Sequence, residues 1–298
     1  MITLAQLEQE VARRTGPFFQ AGQDPSTPTT STTAAAYMPT LKSNALLGGP
    51  ENLWLLRRGV LVGGATTPQP ITSADRIRMV QTFDASAGRV VVDRNWRDPM
   101  YPNELADFTH LHPEQELRVA VLAGLRRCFL EDMIAAVITS AYGDIDLTYQ
   151  APWITNPTQV TRAQYGWTKP WADAPFEATM QSGHVMLRGT SGSYAPANIW
   201  VTAMRPAWSW VNGADSTAGP SADTDVLNVD LDYAAAAGHI EAWHLFPSHM
   251  FAAAAGNLQA TQETAAREFT RQSLIWGPEP ARRVGFPSVV GSHSTVVL

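Results

Sequence analysis

Arg76-Ile77-Arg78-Met79-Val80-Gln81-Thr82-Phe83, the turn Asp84-Ala85-Ser86-Ala87-Gly88 and the answering run Arg89-Val90-Val91-Val92-Asp93 decide how the rest of the chain is read. The first run alternates polar and apolar residues, as a strand with one buried face does, and the spacing predicts a β-hairpin over 76–93. A short acidic stretch then leads into a predicted helix. Pro113 suits a first helical position, Glu114 and Glu116 suit the positive helix end, and Arg126 and Arg127 suit the negative end. At about 100° per residue, Leu117, Val121, Leu122, Leu125, Cys128 and Phe129 share one broad face. Arg118 projects into that arc and must snorkel or find a partner.

Upstream, Thr3 and Gln6 have the spacing of a capping box, and Leu4, Leu7 and Val11 form one face of a short helix ended by Gly16-Pro17. Gly22 to Ala36 is rich in Pro, Ser and Thr and reads as an exposed loop with a strand starting near Thr29. Asn52 to Val62 reads as extended, with a turn at Gly63-Gly64, Pro68 and Pro70. With the hairpin and Glu104 to Phe108 it predicts a small antiparallel sheet or barrel between two helices. Downstream, Met133 to Thr139, Ile145 to Tyr149, Thr158 to Tyr165, Phe176 to Gln181, His184 to Arg188 and Asn198 to Met204 are strand candidates separated by turn signals, a β-sandwich pattern. Val211 to Asp225 reads as a linker. Tyr233 to Phe246 is an Ala-rich helix stopped by Pro247, and Leu258 to Leu274 is a last helix. The tail from Gly277 to Leu298 ends Ser294-Thr295-Val296-Val297-Leu298, the composition of a mobile terminus or of a strand added to a neighbouring subunit.

The expected class is α+β: a helical bundle with a small antiparallel β insertion and a β-sandwich-like region. Its expected parts are helices with the insertion over 1–131 (the insertion at about 29–108), the sandwich-like region over 132–212, linker and helical hairpin over 213–276, and an extended tail over 277–298. With 298 residues and 45% hydrophobic content the chain can bury a large core. A net charge of −6 and the absence of any Lys/Arg run argue against a general nucleic-acid binder. The N-terminus lacks a signal-peptide pattern and no run approaches the ~18 apolar residues of a membrane span, so a soluble protein is expected.

Chemistry is sparse. Cys128 is the single cysteine, which excludes an intrachain disulfide and suits a small buried residue better than a reactive thiol. His110 and His112 form an H-x-H pair beside Asp107 and Glu114, a conceivable two-histidine-one-carboxylate set, but a helix start explains them better. His239 with Trp243, and His244 and His249 with Glu241, fit packing along helices. Gly189-Thr190-Ser191-Gly192-Ser193 has only a superficial likeness to a nucleophile turn. Asp223, Asp225, Asp230 and Asp232 alternate with Val226, Leu227, Val229 and Leu231, as a partly buried segment does. Trp153, Trp167, Trp171, Trp200, Trp208 and Trp210 could form a sugar platform, or sandwich core and subunit contacts. No catalytic, cofactor-binding or metal-binding residue is assigned, and no enzyme activity is expected.

The order of elements resembles that of tailed-bacteriophage neck proteins, closest to the head-to-tail connector, or adaptor, class. The likeness is carried by the capped first helix, Thr29 to Thr33, the Trp54 strand, Arg76 to Val80 with Phe83-Asp84 and Gly88, Val90 to Trp96, Glu104-Leu105 and His112-Pro113 opening a Leu/Arg helix. Asp146-Leu147, Pro152-Trp153-Ile154 and the Ala-rich hairpin near the C-terminus extend it. The resemblance implies a structural virion protein of the neck or tail, made in the host cytoplasm. It would form a cyclic homo-oligomeric ring, of twelve or six copies by that likeness, with heterologous contacts. A portal protein would lie above and a tail or neck protein below, with DNA passing through the lumen without sequence recognition and no membrane involved. The alternatives are a tail-tube, tail-completion or collar protein, a carbohydrate-binding host-recognition module, or, third, a hydrolase for which no carboxylate or histidine pair is nominated.

Overall fold

The computed structural model describes residues 1–26, 34–41, 49–60, 76–96, 98, 100–136, 144–166, 168–174, 176–188, 198–253 and 258–276. The chain starts as its sequence dictates. After β1 (Ile2–Thr3), the Thr3 hydroxyl accepts from the Gln6 N–H while Gln6 Oε1 accepts from the Thr3 N–H, opening α1 (Leu4–Thr15) with a complete capping box. Leu4, Leu7 and Val11 are buried along one face, and Gly16 ends the helix.

Six strands follow: β2 (Phe18–Gly22), β3 (Ala35–Tyr37), β4 (Trp54–Val60), β5 (Ile77–Asp84), β6 (Arg89–Val92) and β7 (Glu104–Thr109). They form one antiparallel sheet in the order β2-β7-β4-β5-β6-β3. The expected hairpin is β5–β6, and Asp84 Oδ1 holds its turn by accepting from the Ser86 N–H and hydroxyl. Gly88, at φ +66°, presses against the Met38 carbonyl, where a side chain would collide. The sheet curls until its two edge strands meet at one end. There the Asp24 N–H donates to Tyr37 O at 2.7 Å and the Tyr37 N–H donates to Gln23 Oε1 at 3.1 Å. Phe19, Leu55, Val80, Val90, Trp96 and Phe108 fill the resulting barrel.

The central helix starts as its sequence predicts, with Pro113 at a first helical position and Glu114 and Glu116 in its first turn, but that turn is π-helical and the C-terminal end falls short of its sequence reading. A π-helical turn, Pro113–Leu117, precedes α2 (Arg118–Arg127). Cys128, read as helical, is extended at φ −85° and ψ 119°, and Phe129 starts β8 (Phe129–Ala136). The reason is tertiary: β8 pairs with β14 along its whole length, from Phe129↔Pro206 to Ala136↔Ile199. The sandwich-like region contains β9 (Ile145–Asp146), α3 (Leu147–Gln150), β10 (Val160–Gly166), β11 (Pro170–Asp173), β12 (Glu177–Gln181), β13 (His184–Arg188) and β14 (Asn198–Pro206). Sheets β11-β10-β14-β8 and β12-β13-β9 enclose one core containing Ile145, Val160, Tyr165, Leu187, Ile199 and Val201. Ile145 to Tyr149 is not the single strand expected. Only Ile145 and Asp146 pair with β13, because the Asp146 side chain accepts from the Tyr149 N–H and starts a helical turn. Thr158 likewise lies in a 3₁₀ turn before β10.

The stretch from Val211 to Asp225, expected as a linker, carries β15 (Trp210–Val211), β16 (Ala214–Asp215) and a return to β17 (Val226–Leu227), which pairs with β1. Its Asp223 and Asp225 carbonyls accept from the Ala5 and Leu4 N–H groups at the start of α1. Asp230 caps α4 (Leu231–Leu245), and α5 (Pro247–Ala253) and α6 (Leu258–Trp276) complete the described chain. Helices α1, α2, α4 and α6 share one core through Leu7, Val11, Val121, Leu125, Ile240 and Ala265. The fold is therefore α+β. No helix among the described residues is long and apolar enough to cross a membrane. The expectations for Thr29, Gly63-Gly64, Gly189 to Ser193, Trp167 and the tail after Gly277 fall outside the described residues.

Where α2 crosses α4, the two backbones touch at glycines. A Cβ on Gly124 would lie 2.7 Å from the Ala237 carbonyl carbon and closer still to the Gly238 nitrogen. Alanine would gain about 1 kcal/mol of helix propensity there, but forcing two backbones apart costs about 1–3 kcal/mol or more. Gly124→Ala should accordingly lower stability in urea denaturation, and an unchanged or raised midpoint would show that this contact is looser than described.

Candidate functional site

Strand β4 reads Trp54-Leu55-Leu56-Arg57-Arg58-Gly59-Val60, with two adjacent arginines in an apolar strand. Alternation sends them to opposite faces, and both are buried. Arg57 points into the barrel, where Nε and Nη2 donate to the two oxygens of Glu104 at 2.5 and 2.8 Å and Nη1 donates to the Asp98 carbonyl at 2.8 Å. The Trp96 ring is shared between Arg57 and Arg78, each guanidinium carbon 5.3 Å from its centroid.

Arg58 points the other way, into the seam between barrel and helices. Its Nε donates to Asp107 Oδ2 on β7 at 2.6 Å, and its Nη1 donates to Glu8 Oε2 on α1 at 2.9 Å and to Asp223 Oδ2 at 3.0 Å. Arg118 of α2 donates to Glu8 Oε1 at 2.6 Å and to Asp223, which is the partner its place on the apolar arc required. Arg76 bridges Asp223 and Glu114. Gln9 and Gln20 both donate to Asp107. Burial pulls the Arg58 pKa down, but Glu8, Asp107 and Asp223 outweigh it and hold the guanidinium above its ordinary value. Burial pushes Asp223 up, but Arg58, Arg118 and Arg76 hold it below the usual carboxylate range. Arg58 and Asp223 are thus kept charged in the seam.

A further buried arginine is built into the sandwich. Arg205 of β14 donates to Asp132 at 2.9 Å, to the Ser209 hydroxyl and carbonyl, and to Asp215. Its guanidinium lies 4.1 Å from the Trp210 ring centroid and 5.1 Å from that of Trp153.

The residues singled out in the sequence are thereby spread among separate structural tasks. Asp107 and Glu114 belong to the arginine seam. His112 caps the helix start, its Nδ1 accepting from the Gln115 N–H, and lies edge-on to Trp54 with centroids 4.5 Å apart. His110 is packed under Gly16. His239 accepts from Trp243 Nε1 at 3.3 Å, His244 lies 3.4 Å from Glu241, and His249 pairs with Glu116 at 2.6 Å. Among the described residues no group of three His, Cys, Asp or Glu side chains could hold a metal ion. Cys128 is buried with its thiol toward the Tyr233 carbonyl, and burial raises its pKa well above the ordinary thiol value. Trp153 and Trp200 are buried and Trp208 packs against the helical core, so these rings serve packing more than a sugar platform. Asp225 binds its own turn and Asp230 caps α4.

The residues the sequence reading missed are Glu8, Arg58 and Arg76. Their signal is present: Arg57-Arg58 inside a strand that is otherwise apolar requires a buried partner on each face. The architecture and seam define an α+β protein in which a dense cluster of polar chemistry among the described residues ties modules together. Compared with family models, with curated proteins and with solved structures, the chain matches none.

Removing one member of a buried charge cluster leaves the others uncompensated, at about 3–5 kcal/mol. Arg58→Met is expected to cost that much in urea unfolding. Glu8→Gln should cost at least ~1 kcal/mol less in the Arg58→Met background than in the native chain. Equal costs in both backgrounds would mean that the two side chains act independently.

Proposed function

We propose that this chain is a structural virion protein that assembles into a cyclic ring joining the capsid portal to the tail and leaving a path for DNA. The observation that carries the reading is the element order in space. A β barrel is inserted between α1 and α2, a second β region lies between α2 and α4, and α4 and α6 pack back on the same helical core. This is the order on which the sequence resemblance to connector proteins rests. The net charge of −6 supports it as well, since an acidic or neutral lumen lets DNA slide where a basic one would hold it. Large parts of α6 face solvent, with Leu274 and Ile275 exposed near its end, which suits a helix available to a neighbouring subunit.

The experiment is cryo-electron microscopy of the protein alone and mixed with open-portal capsids from its own phage. Rings seated at the portal vertex are the expected result and give the copy number directly. Density along the tail would replace this reading with a tail-tube or completion role, and density at a distal tip with host recognition. Purified virions that lack the protein altogether would overturn the virion reading.

A further inference from the structure

The two passages between the first helices and the barrel lie side by side. One is Gly16, joining α1 to β2; the other is His110, joining β7 to the start of the central helix. The His110 ring is clamped at this crossing. A Cβ on Gly16 would lie 2.7 Å from His110 Nδ1, and among the described residues neither ring nitrogen of His110 has a hydrogen-bond partner. A neutral imidazole tolerates such a place, whereas an imidazolium would bring two N–H donors and a charge with nothing to receive them.

The neighbouring groups add to the cost. Charge on His249 of α5 disfavours charge on His110, and charge on His110 disfavours it on His239 of α4. His239 accepts a hydrogen bond from Trp243 through Nε2, an arrangement available only while that nitrogen is unprotonated. Arg14 of α1 faces His239 and is already engaged by Glu10 and Asp232, with Glu268 at 4.0 Å. Glu116, ahead of α2, is taken by His249 and by the His112 N–H. The carboxylates named around the cluster therefore all have cationic or N–H partners.

We propose that His110, His239 and His249 form an acid-sensitive latch, which holds α4 and α5 against the α1–barrel junction when the first two are neutral and loosens that contact when they take up protons. Burial together with His249 lowers the His110 pKa from 6.5 to about 4, and burial together with Arg14 and His110 lowers that of His239 to about 4. For a base whose folded pKa is depressed, the contribution to stability is complete above the unfolded value. It falls as pH drops from about 6.5 toward 4 and is lost below that. His249 brings its own carboxylate partner, Glu116, at 2.6 Å. Asp223, held below the usual carboxylate range by Arg58, Arg118 and Arg76, keeps its charge over this window, so its ties to β4 and α2 remain while the latch loosens.

Hydrogen exchange of the full chain, read by mass spectrometry between pH 7.5 and 4.5 and corrected for intrinsic rates, tests this. Protection in 239–253 should fall by about 30-fold per histidine by pH 5, relative to pH 7.5, while β4 and β7 hold theirs. The pair His110→Leu and His239→Gln should make that protection nearly independent of pH. A native chain whose protection in 239–253 changes less than threefold would overturn the latch, as would a double variant that loses protection as the native chain does. Should the double variant fold poorly, a histidine NMR titration of the native chain decides. Midpoints well below 6.5 for His110 and His239 are expected, and ordinary midpoints for both would sink the idea.

Discussion

The structure depends on where Arg58 can put its charge. Strand alternation forces Arg58 out of the barrel just as it forces Arg57 in, and its outlet is the seam against α1. A buried guanidinium without partners would cost several kcal/mol, so the seam must supply carboxylates from whatever elements reach it. Asp107 comes from the neighbouring strand, Glu8 from α1 and Asp223 from the turn before β17. Each is fixed by its own backbone context, so one arginine sets the relation of barrel, helices and returning loop at once. Replacing the whole cluster with apolar groups could be neutral in stability, because buried ion pairs are poor net stabilisers. What such a substitution would lose is the directional requirement that brings these segments into a single arrangement.

The same device recurs with a different partner type. Arg57 and Arg205 each combine a carboxylate with the face of an indole, Trp96 for the first and Trp153 with Trp210 for the second. A lysine could not replace either, since a point charge offers neither the planar face for stacking nor the fork that binds both carboxylate oxygens of Glu104. That only Lys42 and Lys169 are lysines is thus consistent with the structural load placed on arginine, whatever its compositional origin. The tryptophans that invite a sugar-binding reading are in part the other half of these pairs.

Local signals are legible in the sequence and long-range ones are not. The capping box at Thr3 and Gln6, the hairpin around Gly88 and the break at Pro247 each rest on interactions within a few residues, and the structure contains all three. Arg118 is legible as a problem, an arginine on an apolar arc, but its solution at Asp223 lies 105 residues away. Cys128 and Phe129 continue the helical period of Val121, Leu122 and Leu125, yet pairing with β14 draws Phe129 into a sheet, an outcome no window of local sequence contains. Asp146 shows the converse error. The alternating pattern there reads as a longer strand, but an Asp ahead of three residues able to turn is also a helix cap, and the cap wins.

Two kinds of joint hold the modules, and they follow different physics. The α2–α4 joint is made by small residues at Gly124 and Gly238 and depends on close approach, so it tolerates changes of pH and salt but not of volume. The barrel joint depends on charge at Arg58, Arg118 and Asp223, is shielded from salt by burial, and has in Asp223 a carboxylate held below its usual range by the arginines around it. His110 sits beside Gly16, where α1 passes into the barrel, and in the proposed latch its requirement is neither volume nor charge but neutrality. The orientation of the barrel on the helices is therefore set by side chains rather than by the two short backbone passages. The three places act on different contacts through different variables: packing between α2 and α4 at Gly124, charge between barrel and helices at Arg58 and Asp223, and, in the proposed latch, imidazole protonation at His110.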